Sequence, residues 1–214
     1  MRSVARPAAA GTTAPTRIVC LSGAFQVAED FIAAGFDARV RERALPIDLC
    51  FVDPELQHLG DRRFREQLKH DILAPARALG CERLWLAGIS LGGFMALDYA
   101  ASHPGELDGL CVLAPYLGNR MLTGEIGRAP ALDAWVPGDL AESDEERRIW
   151  GFIQAQGAGS RPVYLGYGRE DRFAPAHRLM AQALPSSAVD VVPGGHDWRT
   201  WTILWENFLD STFT

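Results

Sequence analysis

The stretch that decides the fold is Leu84-Trp85-Leu86-Ala87-Gly88-Ile89-Ser90-Leu91-Gly92-Gly93-Phe94-Met95-Ala96-Leu97. Its first four residues form a short apolar run of the kind a buried strand requires. Gly93 to Ser102 carries a helical pattern that stops before Pro104. Between them lies Gly88-Ile89-Ser90-Leu91-Gly92, a G-x-S-x-G pattern. A strand that runs straight into a helix through so few residues must turn sharply, and Ser90 is forced into a strained backbone conformation. Glycines two before and two after the serine remove the side chains that would clash. A plain glycine–serine turn capping a helix is the competing reading, and the flanking strand and helix argue against it.

Working outward, the same rhythm repeats. Strands are expected at Arg17–Leu21, Ile47–Val52, Leu110–Ala114, Pro162–Gly166 and Val189–Val192. Helices are expected at Val27–Ala34, Asp61–Leu79, Pro175–Leu184 and Trp198–Leu209. Pro75 lies inside the second of these helices and should kink or divide it. Alternating strands and helices predict an α/β fold: a mostly parallel sheet with helices on both faces. Such sheets bind ligands at the carboxyl ends of their strands, so the residues just after each strand matter most.

Length and composition narrow the field. The 214 residues suit one well-buried domain. A net charge of −6 argues against nucleic acid as a partner. Residues 1–16 read as a flexible leader, or as a trimmed export signal. Arg6, Pro7, Gly11 and Pro15 break up any apolar core there. Residues 17–214 read as a single domain, and no run is long enough to span a membrane. Cys20, Cys50 and Cys111 each sit in an apolar run, Cys81 stands apart, and none forms a CxxC pair. Reduced, buried thiols fit a cytoplasmic protein.

Gly88-Ile89-Ser90-Leu91-Gly92-Gly93, followed by a helix ending at His103-Pro104, resembles the nucleophile turn of the α/β-hydrolase family. The resemblance runs from about Arg17 to Leu209. It implies a small serine esterase-like member that starts at the family's third strand and lacks its first hairpin. It also implies an order of serine, acid and histidine along the chain. The acid loop is similar to Gly166-Tyr167-Gly168-Arg169-Glu170-Asp171-Arg172-Phe173-Ala174-Pro175 and points to Asp171, with Glu170 as a rival. The histidine loop is similar to Pro193-Gly194-Gly195-His196-Asp197-Trp198 and points to His196. Asp197 is too close in sequence to be the favoured orienter, and His58, His70, His103 and His177 are weaker candidates.

The chemistry needs all three groups. A serine hydroxyl is a poor nucleophile near neutral pH. A histidine must take its proton and later protonate the leaving group, and a carboxylate must fix the imidazole tautomer. The helix start after Ser90 leaves the Leu91 amide free to face an oxyanion. The family's second donor maps onto Ser22-Gly23-Ala24-Phe25-Gln26 and points to Ala24. Many members have histidine-glycine where this chain has Ser22-Gly23.

The substrate region is expected to include Phe25, Tyr116, Leu117 and Trp198, with Trp135 and Trp150 as further aromatic candidates. Core packing is the competing role for the tryptophans. Residues 116–160 lack a strong strand signal and read as a short cap or lid insertion. No metal cluster or cofactor motif stands out, so neither is expected. The reading is a carboxylic ester hydrolase acting through an acyl-serine on a small or acyl-chain ester. Thioesters and polyester oligomers are alternatives for the same triad, and a non-catalytic hydrolase-fold binding protein ranks lower.

Overall fold

A computed structural model describes residues 1–8, 13–54, 62–138, 144–155 and 161–214. Seven strands form one sheet in the order β1-β3-β2-β4-β5-β6-β7. They are β1 (Arg2–Arg6), β2 (Thr16–Leu21), β3 (Ile47–Asp53), β4 (Arg83–Ile89), β5 (Gly109–Leu113), β6 (Val163–Gly168) and β7 (Val189–Val192). All neighbours pair in parallel except β1, which runs antiparallel along β3 with Arg2 opposite Asp53 and Arg6 opposite Leu49.

Strand β1 corrects the expectation of a flexible leader over residues 1–16 and of a sheet that begins only at Arg17. Its sequence, Arg-Ser-Val-Ala-Arg, is polar on both ends and mostly exposed, so hydrophobic periodicity does not mark it. Backbone pairing to β3 holds it, with the Arg2 guanidinium bridging Glu29 and Asp53. A charged edge strand of this kind also discourages pairing with another chain.

The helices divide between the two faces. On one face, α1 (Ala28–Ala33), α2 (Phe36–Glu42) and α9 (Trp198–Phe213) cover Ile18, Cys20, Trp85, Ala87 and Cys111. On the other, α3 (Arg62–Leu68), α4 (Ala74–Ala78), α5 (Leu91–Ser102), α7 (Glu145–Ala155) and α8 (Ala174–Ala181) pack on the core that holds Val19, Leu21, Leu84, Leu86 and Val112. The period-two alternation along β2 and β4 sends successive side chains into different cores. Burying a side chain such as Leu86 contributes about 1.5–3 kcal/mol. All four cysteines are free and buried.

Pro75 does divide its helix. Residues Lys69–Leu73 form a π-helical turn between α3 and α4, and Pro75 falls in the first turn of α4. The widened turn accommodates a residue that lacks an N–H and whose ring would strike the carbonyl four residues back. Helix α2 lay outside the sequence reading. Its Arg39 and Arg43 pair with Glu206 and Asp210 on α9.

The segment expected as a cap contains α6 (Arg120–Ile126) and α7, and its residues 139–143 and 156–160 lie outside the described residues. The described part is built into the core. Ile149, Trp150 and Ile153 of α7 are fully buried. Buried Asp98 on α5 receives Arg65 of α3 at 2.8 Å and Arg148 of α7, tying α7 to the helix that follows Ser90. No described helix is long and apolar enough to cross a membrane.

Candidate active site

Four loops at the carboxyl edge of the sheet meet at one point. Ser90 follows β4, Asp171 follows β6, His196 follows β7, and the Ser22–Gln26 loop follows β2. Ser90 has φ 53° and ψ −113°, the strained backbone expected of the turn. Its N–H donates to the Leu113 carbonyl at 3.0 Å, and its carbonyl accepts from Phe94 and Tyr116. The flanking glycines are sterically required. A Cβ on Gly88 would lie 2.2 Å from the Gly92 carbonyl oxygen, and one on Gly92 would lie 2.1 Å from that of Leu21.

The three nominated side chains stand in line. His196 Nε2 lies 2.9 Å from Ser90 Oγ, and His196 Nδ1 lies 2.7 Å from Asp171 Oδ2. The other Asp171 oxygen accepts the Phe173 N–H at 2.8 Å. Burial alone would push the Asp171 carboxyl up. The hydrogen bonds from His196 and Phe173 outweigh it and hold the group below the usual carboxylate range. The His196 ring is fixed edge-on between Phe173, at 5.2 Å, and Trp201, at 5.1 Å.

The rival acids have other work. Glu170 accepts the Gly194 N–H while its own N–H donates to the Gly194 carbonyl, clamping the acid loop to the histidine loop. Asp197 caps α9, accepting from the Thr200 N–H at 3.0 Å and the Thr200 hydroxyl at 3.1 Å. Gly168 permits the close approach of the two loops, since a Cβ there would meet the Gly194 carbonyl oxygen at 2.2 Å.

His177 is completely buried, 2.8 Å from the Pro115 carbonyl through Nε2 and tilted against Tyr167. Desolvation lowers its pKa to about 4, so it is neutral at pH 7. Neither it nor Phe173 nor Trp201 carries a sequence motif. Phe173 shows only its place two residues after the acid, and Trp201 looks like one more residue on the helical spacing of α9.

Leu91 opens α5 and is half-buried, as is Ala24. In that loop the Ser22 N–H donates to the Val52 carbonyl and the Gly23 N–H to the Gln26 side chain at 2.9 Å, so neither is free for the role expected of Ala24. Phe25 has φ 61° and is 95% exposed beside it.

The expected substrate residues separate. Tyr116 and Leu117 line a mostly apolar cleft of about 550 Å³ together with Phe173, Pro175 and Leu179. Tyr116 and Phe173 stand edge to face, 5.9 Å apart, between this cleft and His196. Phe25 and Trp198 do not line it. At the first turn of α9 the Trp198 ring packs edge-on against Phe31, Phe36 and Trp201. Trp135 and Trp150 are likewise core residues, their indole N–H groups donating to Glu125 and to the Leu117 carbonyl.

Fold and site together define a serine hydrolase of the α/β-hydrolase class. A family model described as "Putative esterase" matches residues 51–205, and the chain belongs to that family. A comparison with curated proteins finds no match. Among solved structures, the chain is similar to Est1E from Butyrivibrio proteoclasticus, with 15% identity, TM-score 0.65, and coverage of 98% of this chain and 93% of that one. It is also similar to FphF, a fluorophosphonate-binding serine hydrolase of Staphylococcus aureus, with 13% identity, TM-score 0.64, and coverage of 94% and 85%. An S-formylglutathione hydrolase from Agrobacterium tumefaciens is similar at 14% identity and TM-score 0.60, with coverage of 94% and 83%. At these identities the likeness is one of fold.

Proposed function

We propose that the protein hydrolyses carboxylic esters through an acyl-serine on Ser90, with His196 as general base and acid and Asp171 as its orienter. The observation that carries this is the unbroken line of hydrogen-bonding distances from Ser90 Oγ through His196 to buried Asp171. In the first step, Ser90 Oγ attacks the ester carbonyl carbon as its proton passes to His196 Nε2. The carbonyl oxygen becomes an oxyanion facing the Ala24 and Leu91 amides. The carbon–oxygen bond to the alcohol then breaks, and Nε2 gives its proton to the leaving oxygen. Water repeats the sequence on the acyl-serine, releasing the acid and restoring Ser90. Two oriented amides of this kind each contribute about 3 kcal/mol of transition-state stabilisation.

The substrate is a small or acyl-chain ester, its apolar part resting in the cleft bounded by Tyr116, Leu117 and Phe173. Four free, buried thiols support a cytoplasmic setting, and the acidic balance supports a small molecule rather than nucleic acid as the partner.

The test is reaction with a fluorophosphonate probe, read by intact mass, with Ser90→Ala beside the native protein. One label on the native chain and none on the variant is the expected result. Labelling of both would place the nucleophile elsewhere, and labelling of neither would favour a binding protein.

A further inference from the structure

The cleft beside His196 carries charge that ester hydrolysis does not itself require. Arg120 and Arg172 both line it, and none of its lining residues is an Asp or Glu. Each arginine is exposed, and no ion pair joins either of them to a described residue. The neighbouring acid, Glu146, is already engaged by the Asn119 N–H, the Asn119 side-chain amide and the Tyr116 hydroxyl. In a chain of net charge −6, a cleft lined by two guanidinium groups that form no ion pair with a described residue is a selective feature.

The position of Arg172 is set. Its guanidinium lies over the Phe173 ring at 4.8 Å, and that ring stands 5.2 Å from the His196 ring. The two distances cap the separation of guanidinium and imidazole at about 10 Å. An anion paired with Arg172 would therefore sit a short arm away from a carbonyl held at Ser90. Because that separation is a maximum, one ester with an arm of a few bonds can reach from Ser90 to the guanidinium.

We propose that Arg172, supported by Arg120, makes the enzyme selective for esters that bear a carboxylate on an arm of a few bonds from the scissile carbonyl carbon. The proposal rests on the Ser90 reading above. A guanidinium is suited to this task because its planar donors meet a carboxylate in two parallel hydrogen bonds. The apolar part of the arm would cross Tyr116 and Phe173, and the charge would reach the rim. The carboxylate belongs to the acyl part or to the alcohol part, and substrate pairs separate the two.

On the acyl side the pair is mono-4-nitrophenyl adipate against 4-nitrophenyl hexanoate. On the alcohol side it is 4-acetoxybutanoate against butyl acetate. The readout is the ratio of kcat/KM, charged over neutral, within each pair. In one pair the native ratio should exceed one and should fall about tenfold in Arg172→Gln. Arg172→Lys should retain part of it, Arg172→Glu should push it below one, and added salt should erode it in the native enzyme. Native ratios at or below one in both pairs, or ratios untouched by Arg172→Gln, would overturn the selectivity while leaving the esterase reading intact. Loss of turnover on all four esters, with no fluorophosphonate label on Ser90, would instead overturn the reading on which it rests.

Discussion

At the scale of single residues, His196 is held by three neighbours with different duties. Asp171 fixes its tautomer, while Phe173 and Trp201 confine its ring. Asp171→Asn keeps the shape of the acid but offers an amide where a charge is needed. It should lower kcat by about 10⁴-fold, with folding preserved in circular dichroism. Ala24→Pro removes the amide assigned to the oxyanion and should sharply reduce kcat in an ester assay. Unchanged turnover would show that another group fills that position. That Asp171 and His196 would meet beside Ser90 was legible because each follows a strand end in family order. Glu170, by contrast, differs from its neighbour in no way a sequence displays. Only the Gly194 amide shows it to be a loop clamp rather than the orienting acid. The tryptophans were ambiguous for a related reason: an aromatic on a helix looks the same whether it faces a ligand or a core, and Trp198 packs on Phe31 and Phe36.

Among the elements, the turn from β4 into α5 is the most heavily constrained. Gly92→Ala would drive a Cβ into the backbone of β2, so it should fail to give soluble, probe-reactive protein, as measured by expression and labelling. The β4–α5 unit was readable because strong hydrophobicity, glycine spacing and a helix stop agreed. Strand β1 was not, because an edge strand buries little and is held by backbone pairing, to which side-chain pattern is blind. The union of α3, α5 and α7 through Asp98 was equally hidden, since it joins residues far apart in the chain. Asp98→Ala leaves Arg65 buried without its counter-charge. Stability should drop by about 3–5 kcal/mol, seen as a lower midpoint in urea denaturation.

For the whole molecule, acid should weaken the fold through two buried groups. His177 is neutral in the folded state with a pKa near 4, against an ordinary value near 6.5, so the unfolded chain takes up its proton first. Stability is full above pH 6.5 and falls as the pH drops toward 4, by about 3 kcal/mol at most. Asp171, held below its ordinary value, adds a loss that sets in under about pH 4 as the carboxylate is protonated. Urea midpoints taken from pH 7 to pH 4 should show the decline, and His177→Gln should flatten its upper part. The anchoring of α7 bears on kinetics as well. With α7 bolted to α5 through Asp98 and its Ile149, Trp150 and Ile153 buried, that helix has nothing to gain from an oil–water boundary. Turnover of a short-chain ester should therefore follow a simple saturation curve through its solubility limit, with neither a lag on mixing nor a jump when emulsion droplets appear.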